Sequence, residues 1–142
     1  MNNQPPTSVQ AITQQLKPDL YPNVDDHATI VLTYPNATAV IQASWAWTHD
    51  NKEMDVHATK MSIHAAKWDA LQVRLPDQPR EPAVPSPKPD HLTDEWTYLR
   101  SLVRGECEID LLSSIENNLI VAQILDAALE SARTGMTIEL RP

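Results

Sequence analysis

Trp45, Trp47, His49 and Lys52 fall within eight residues of one another and are the side chains best suited to border a small-molecule pocket. Flat tryptophan faces suit the C–H edges of a sugar. His49 and Lys52 can donate to a substrate oxygen, or to a cofactor phosphate carried by a partner domain. A plainer reading stands beside this one and is favoured by residue type. In it Trp45 packs in a core, Trp47 in a subunit contact where aromatics gather, and residues 48–52 form a solvated charged loop.

Other chemistry finds less support. Asp25-Asp26-His27 holds metal-ligating types, but adjacent strand residues point to opposite faces, so hydrogen bonding from loop to strand is the expected role of the carboxylates. His57 and His64 lie on neighbouring predicted strands and could pair across the turn. With no third ligand at suitable spacing, no metal site is expected. The one cysteine, Cys107, lies between Glu106 and Glu108 and is read as an ordinary thiol. No serine sits in a nucleophile-elbow context. Only two glycines occur, Gly105 and Gly135, whereas a phosphate cradle needs several close together so that backbone N–H groups can approach the anion. The expectation is a chain with no catalytic, cofactor-binding or metal residue of its own.

The chain has 142 residues, enough for one domain, with 42% hydrophobic and 21% charged residues. Nineteen acidic residues against eleven basic give a net charge of −8. Such a surface repels phosphate backbones, which argues against nucleic acid as a partner. The apolar run around residues 119–125 is broken by Gln123 and is too short to cross a bilayer. No charged start followed by an apolar block suggests a secretory leader. A lone cysteine suits a reducing compartment, so a cytoplasmic location is expected.

The elements that must carry these residues can be read from periodicity. Residues 8–16, 27–34, 39–47, 53–58, 61–65 and 70–75 read as strands, most with clean alternation. In residues 27–34, Ala28, Ile30, Leu32 and Tyr34 share one face. In 39–47, Ala39, Ile41, Ala43, Trp45 and Trp47 do. Residues 35–38 make the two runs a hairpin. Residues 1–75 are therefore mainly β. Residues 76–92 hold Pro76, Pro79, Pro82, Pro85, Pro87 and Pro89 and read as an extended connection unable to join a ladder. Residues 93–142 read as two helices and a closing strand at 136–140. Thr93 is the expected cap of the first helix, whose face carries Trp96, Leu99 and Val103, and Gly105 ends it. Residues 113–116 form a capping box for the second. Along it Ile115, Leu119, Ala122, Ile124, Leu125, Ala128, Leu129 and Ala132 make one wide apolar stripe, and Gly135 stops it. The fold class is α+β: a mostly antiparallel, open-faced sheet with two C-terminal helices packed on one face, in a single domain 1–142.

Taken in order, residues 21–32 (YPNVDDHATIVL), 34–45 (YPNATAVIQASW), 94–99 (DEWTYL) with Gly105, 113–118 (SSIENN) and 132–135 (ARTG) resemble the C-terminal domain of the Gfo/Idh/MocA oxidoreductase family. The resemblance runs from about residue 8 to 140. It implies a large antiparallel sheet with helices on one face and a subunit interface on the other. It also implies that the family's NAD(P)-binding Rossmann domain, its Glu-Lys-Pro segment with the catalytic lysine, and the helix giving Asp and His or Tyr would all precede Met1. Ala37 and Met61 stand where such sequences usually carry turn glycines, so these turns must avoid positive φ or bear strain.

The expected function is the substrate-side and oligomerisation domain of an NAD(P)-dependent oxidoreductase of a sugar, inositol or similar polyol, not active alone. Its expected partners are a second copy through the open sheet face and a Rossmann domain. The alternatives are a non-catalytic dimeric sheet scaffold, which an initiating Met1 would allow, or the product of a truncated reading frame.

Overall fold

The computed structural model describes residues 4–67 and 70–140. In chain order these contain strands β1 (Ser8–Gln14), β2 (His27–Tyr34), β3 (Ala37–Ser44), β4 (Met54–His57), β5 (Ser62–Lys67), β6 (Ala70–Arg74) and β7 (Glu81–Ala83). Helices α1 (Glu95–Val103) and α2 (Ile115–Thr134) and strand β8 (Ile138–Glu139) follow. The chain forms two compact units, residues 1–48 with 109–142, and residues 49–108.

The first unit is a four-stranded antiparallel sheet ordered β3-β2-β1-β8. Register decides its faces. Val9 pairs with Leu32 and Leu32 with Ala39, while Ala11 pairs with Ile30 and Ile30 with Ile41, so these apolar residues share one side. Helix α2 lies on that side against β1. Its small residues Ala127, Ala128 and Ser131 let helix and strand approach closely, and Val9 beneath them is wholly buried. Val9, Ala11, Leu32, Ala127 and Ala128 are the core, with Ile30, Tyr34, Ala39, Ile124, Ala132, Ile138 and Leu140 packed around it. Burying a side chain such as Leu32 contributes roughly 1.5–3 kcal/mol.

The second unit holds an antiparallel sheet ordered β4-β5-β6-β7, followed by α1, which packs on the 3-10 turn Asp90–Leu92. Val56 pairs with Ile63 and Ile63 with Val73 on one face. Asp55 pairs with His64 and His57 with Ser62 on the other.

The antiparallel α+β class is the one expected, with differences in detail. The strands divide between two sheets, and the helix on the first sheet is α2; α1 belongs to the other unit. Strand β7 lies inside the proline-rich stretch that was expected to stay out of any ladder. Pro82 pairs with Gln72 because β7 is the edge strand, where a missing N–H can face outward. Asp94, not Thr93, caps α1: its Oδ1 accepts from Trp96 N at 3.0 Å and Thr97 N at 2.9 Å. Ser114, not Ser113, caps α2, accepting from Asn117 N at 3.2 Å. Both glycines end helices in the left-handed region as read, Gly105 at φ 68 and Gly135 at φ 70. Among the described non-glycine residues only Asp77 has positive φ, so the turns at Ala37 and Met61 avoid that strain.

The wide stripe of α2 is not one surface. Ile124, Ala128 and Ala132 pack toward the sheet, whereas Ile115, Leu119, Leu125 and Leu129 are 71%, 59%, 54% and 67% exposed. On α1, Trp96, Leu99 and Val103 are likewise exposed.

Candidate functional site

The best-organised polar centre of the first unit is Asp26, 3% exposed at the start of β2. Its Oδ1 accepts from Leu16 N at 2.8 Å and its Oδ2 from Lys17 N at 2.7 Å. Its own N–H donates to Gln14 O at 3.1 Å, and its carbonyl accepts from Trp45 N at 2.8 Å and Ser44 Oγ at 3.1 Å. One residue thus ties together the ends of β1, β2 and β3. The carboxylate bonds are charge-assisted and short. This is the loop-to-strand role read for the acids at this position.

The tie places two aromatic rings side by side. Tyr21, in the loop after β1, and Trp45, just past β3, have ring centroids 5.6 Å apart at an interplanar angle of 52°. Gln15 Nε2 donates to Tyr21 O and holds that loop. Trp45 remains 65% exposed and Trp47 38% exposed. An exposed indole steadied from one side can stack against the C–H face of a ring. It cannot move a proton.

Neither tryptophan lies on a strand, contrary to the reading of residues 39–47. Strand β3 stops at Ser44, whose hydroxyl accepts from Ala46 N at 3.0 Å, a local turn that competes with the ladder. Nor is Trp45 a core residue. His49 and Lys52 fall in the second unit, both exposed, whereas Trp45 and Trp47 belong to the first. The structure therefore brings together Trp45 and Tyr21, a residue that sequence reasoning did not single out. The two are far apart in sequence, and the signal was Asp26, an acid poised to bind a loop.

On the polar face of the second sheet, His64 Nδ1 lies 2.9 Å from Asp55 Oδ1 and His57 Nδ1 lies 3.2 Å from Ser62 Oγ. The two histidines do not pair with each other. Each takes the residue directly opposite it in the register. Among the described residues no group of three or more His, Cys, Asp or Glu is placed to hold a metal ion. Nor do this chain's two glycines form a loop that cradles a dinucleotide's phosphates. Both are spent at helix C-termini, where carbonyls and not N–H groups are exposed.

Residues 1–64 match the family model for the GFO/IDH/MocA C-terminal domain. Among curated proteins none matches the chain. Solved structures do. An aldose–aldose oxidoreductase from Caulobacter crescentus, complexed with glycerol, is similar at a TM-score of 0.76 and 19% identity, over 96% of this chain and 42% of that one. An inositol dehydrogenase homolog from Azotobacter vinelandii, complexed with NADH and myo-inositol, is similar at 0.74 and 13% identity, over 99% and 45%. The WlbA dehydrogenase from Bordetella pertussis, in complex with NADH and UDP-GlcNAcA, gives 0.61 and 20% identity, over 99% and 42%. At these identities the likeness shows the fold, and the chain spans less than half the length of each of the three. By sequence its first 64 residues are similar to the GFO/IDH/MocA C-terminal domain, and by fold nearly its whole length is similar to these oxidoreductase structures.

Proposed function

We propose that this chain is the substrate-side and oligomerisation domain of an NAD(P)-dependent oxidoreductase acting on a sugar, inositol or similar polyol, in the cytoplasm. The observation that carries the reading is the two-sided α2. One side packs on the sheet, and the other exposes Ile115, Leu119, Leu125 and Leu129, more apolar helix surface than an isolated domain has use for. In this reading a nucleotide-binding domain covers that side and supplies the cofactor and the acid–base residues. Each unit has its own candidates to meet a polyol, the Trp45–Tyr21 corner and Trp47 in the first and His49 and Lys52 in the second. Hydride passes between nicotinamide and a carbinol carbon, and this chain's part is to bind and orient the substrate.

The sheet face opposite α2 supports the oligomerisation role. Gln10, Val31 and Val40 form one row across it and Ile12, Thr29 and Gln42 the next. Ile12 and Val40 are each 62% exposed. A second copy laid face to face would bury them.

Two measurements test this. Titration of NADH followed by nicotinamide fluorescence should show no micromolar binding by the chain alone; such binding would overturn the division of labour. Sedimentation should show a dimer for the wild type and a folded monomer for the Ile12→Lys, Val40→Lys double variant. A monomeric wild type would remove the oligomerisation role.

A further inference from the structure

We propose that the groove between α2 and the free edge of β8 docks an extended, basic segment of a partner protein, which joins the first sheet as a strand beside β8. The sheet order ends at β8, and among the described residues nothing pairs with its outer edge. Leu140 N donates inward to Thr7 O at 2.9 Å. Alternation along the strand therefore points the N–H and C=O of Glu139 outward. An incoming antiparallel strand would exchange both bonds with Glu139.

Beside that edge is a groove of about 320 Å³. Ala127, Ile138 and Leu140 give it an apolar floor continuous with the core. Asp126 and Glu130 overhang it from one flank of α2, four residues apart. Like charges at that spacing repel on a helix, so a cation between them relieves a cost already present. Neither takes part in the ion pairs described, which are His64–Asp55 and Arg104–Glu106. A lysine or arginine on the incoming strand would lay its aliphatic stem over Ile138 and Leu140 and bring its charge to the two carboxylates. The whole chain, at −8, attracts a basic partner. Short, charged edge strands also serve to repel pairing. That device puts the charge on the strand itself. Here only Glu139 lies on the strand; Asp126 and Glu130 come from the helix and stand over an apolar floor, so three acids line the groove, an arrangement that receives a cationic side chain.

The test uses a capped peptide of alternating valine and lysine, its glutamate counterpart, and the intact chain labelled for NMR. The lysine peptide should shift the amides of Ala127, Glu139 and Leu140 and bind more weakly as salt rises. The Asp126→Lys, Glu130→Lys double variant, whose circular dichroism should match wild type because both positions are exposed, should bind at least tenfold more weakly. No shift at millimolar peptide overturns the proposal, as does equal binding of the glutamate peptide or of the double variant. Shifts of the same amides with protein concentration alone, without peptide, assign the edge to a second copy and also overturn it.

Discussion

The hydroxyl of Ser131 stands in for a missing rung between β1 and the chain entering β8: its Oγ accepts from Ala11 N at 2.9 Å and donates to Met136 O at 2.6 Å. β1 and β8 pair Ser8 with Glu139 and Val9 with Ile138. Carried two residues further, that register would set Ala11 opposite Met136 and join them directly. Instead the wholly buried serine of α2 takes both groups, ends β8 and fastens the helix to the strand. Ser131→Ala strips the hydroxyl from a buried N–H and should lower stability by about 1–3 kcal/mol, read from urea unfolding. Amide exchange at Ala11 is the sharper readout. Protection that persists in the variant would mean the direct rung has closed and the serine is dispensable.

Asp26 invites a comparable substitution. Asp26→Ala removes both acceptors of Leu16 N and Lys17 N, in a residue 3% exposed. Hydrogen bonds to a charged group contribute about 1.5–3 kcal/mol each. Asp26→Asn keeps one carbonyl acceptor and should lose less than Asp26→Ala. In Asp26→Ala the loop carrying Tyr21 should loosen, and the quenching of Trp45 by its neighbour should change in step. Unaltered fluorescence with reduced stability would separate the aromatic pair from the carboxylate that we hold responsible for it.

How much of this was legible in the sequence depended on how local its cause was. The β2–β3 hairpin could be read because its alternation and its turn residues are contiguous, although the turn read at 35–38 is tightened to Pro35 and Asn36, with Ala37 already paired to Tyr34. β7 could not, because the tolerance of Pro82 depends on the strand lying at an edge, which only the assembled sheet reveals. The apolar residues of α2 were all visible, but periodicity cannot say which part of so wide an apolar stripe meets the sheet. The choice falls to the side with Ala127, Ala128 and Ser131, because small residues permit the closest approach to β1. At the candidate site, Trp45 and Trp47 were identified and misplaced on a strand, since the hydroxyl of Ser44 that bends the chain gives no periodic signal.

Helix α1 should respond to acid. The Asp94 carboxylate is held below the ordinary aspartate range, first by the backbone N–H of Thr97, then by the Thr97 hydroxyl, with further help from Trp96 N and the Arg100 charge. A depressed folded-state value means this cap stabilises the helix fully above the ordinary aspartate range and is lost as pH falls through the lowered value. The amides of Trp96 and Thr97 should therefore titrate below the usual carboxylate range, with the first turn of α1 fraying there. In Asp94→Asn that titration should vanish, while the cap survives in part because asparagine also accepts. An unshifted Asp94 midpoint in the wild type would show that the cap bonds are not formed in solution.

The two sides of α2 make opposite predictions. Ile124 is packed on the sheet core, so Ile124→Ala should cost about 2 kcal/mol, the low end for deleting a core aliphatic side chain, because Ile124 is only partly buried. Leu119 and Leu129 point to solvent, and Leu and Gln have similar helix propensity. Leu119→Gln with Leu129→Gln should therefore change stability by no more than about 0.5 kcal/mol per site. The same pair should sharply reduce binding of an apolar dye such as ANS, and should weaken docking of the nucleotide-binding domain we propose, while leaving circular dichroism intact. A large stability loss from the outer pair would make that stripe part of this chain's own core. It would then be unavailable to a partner, and the division of labour we propose between two domains would lose its main support.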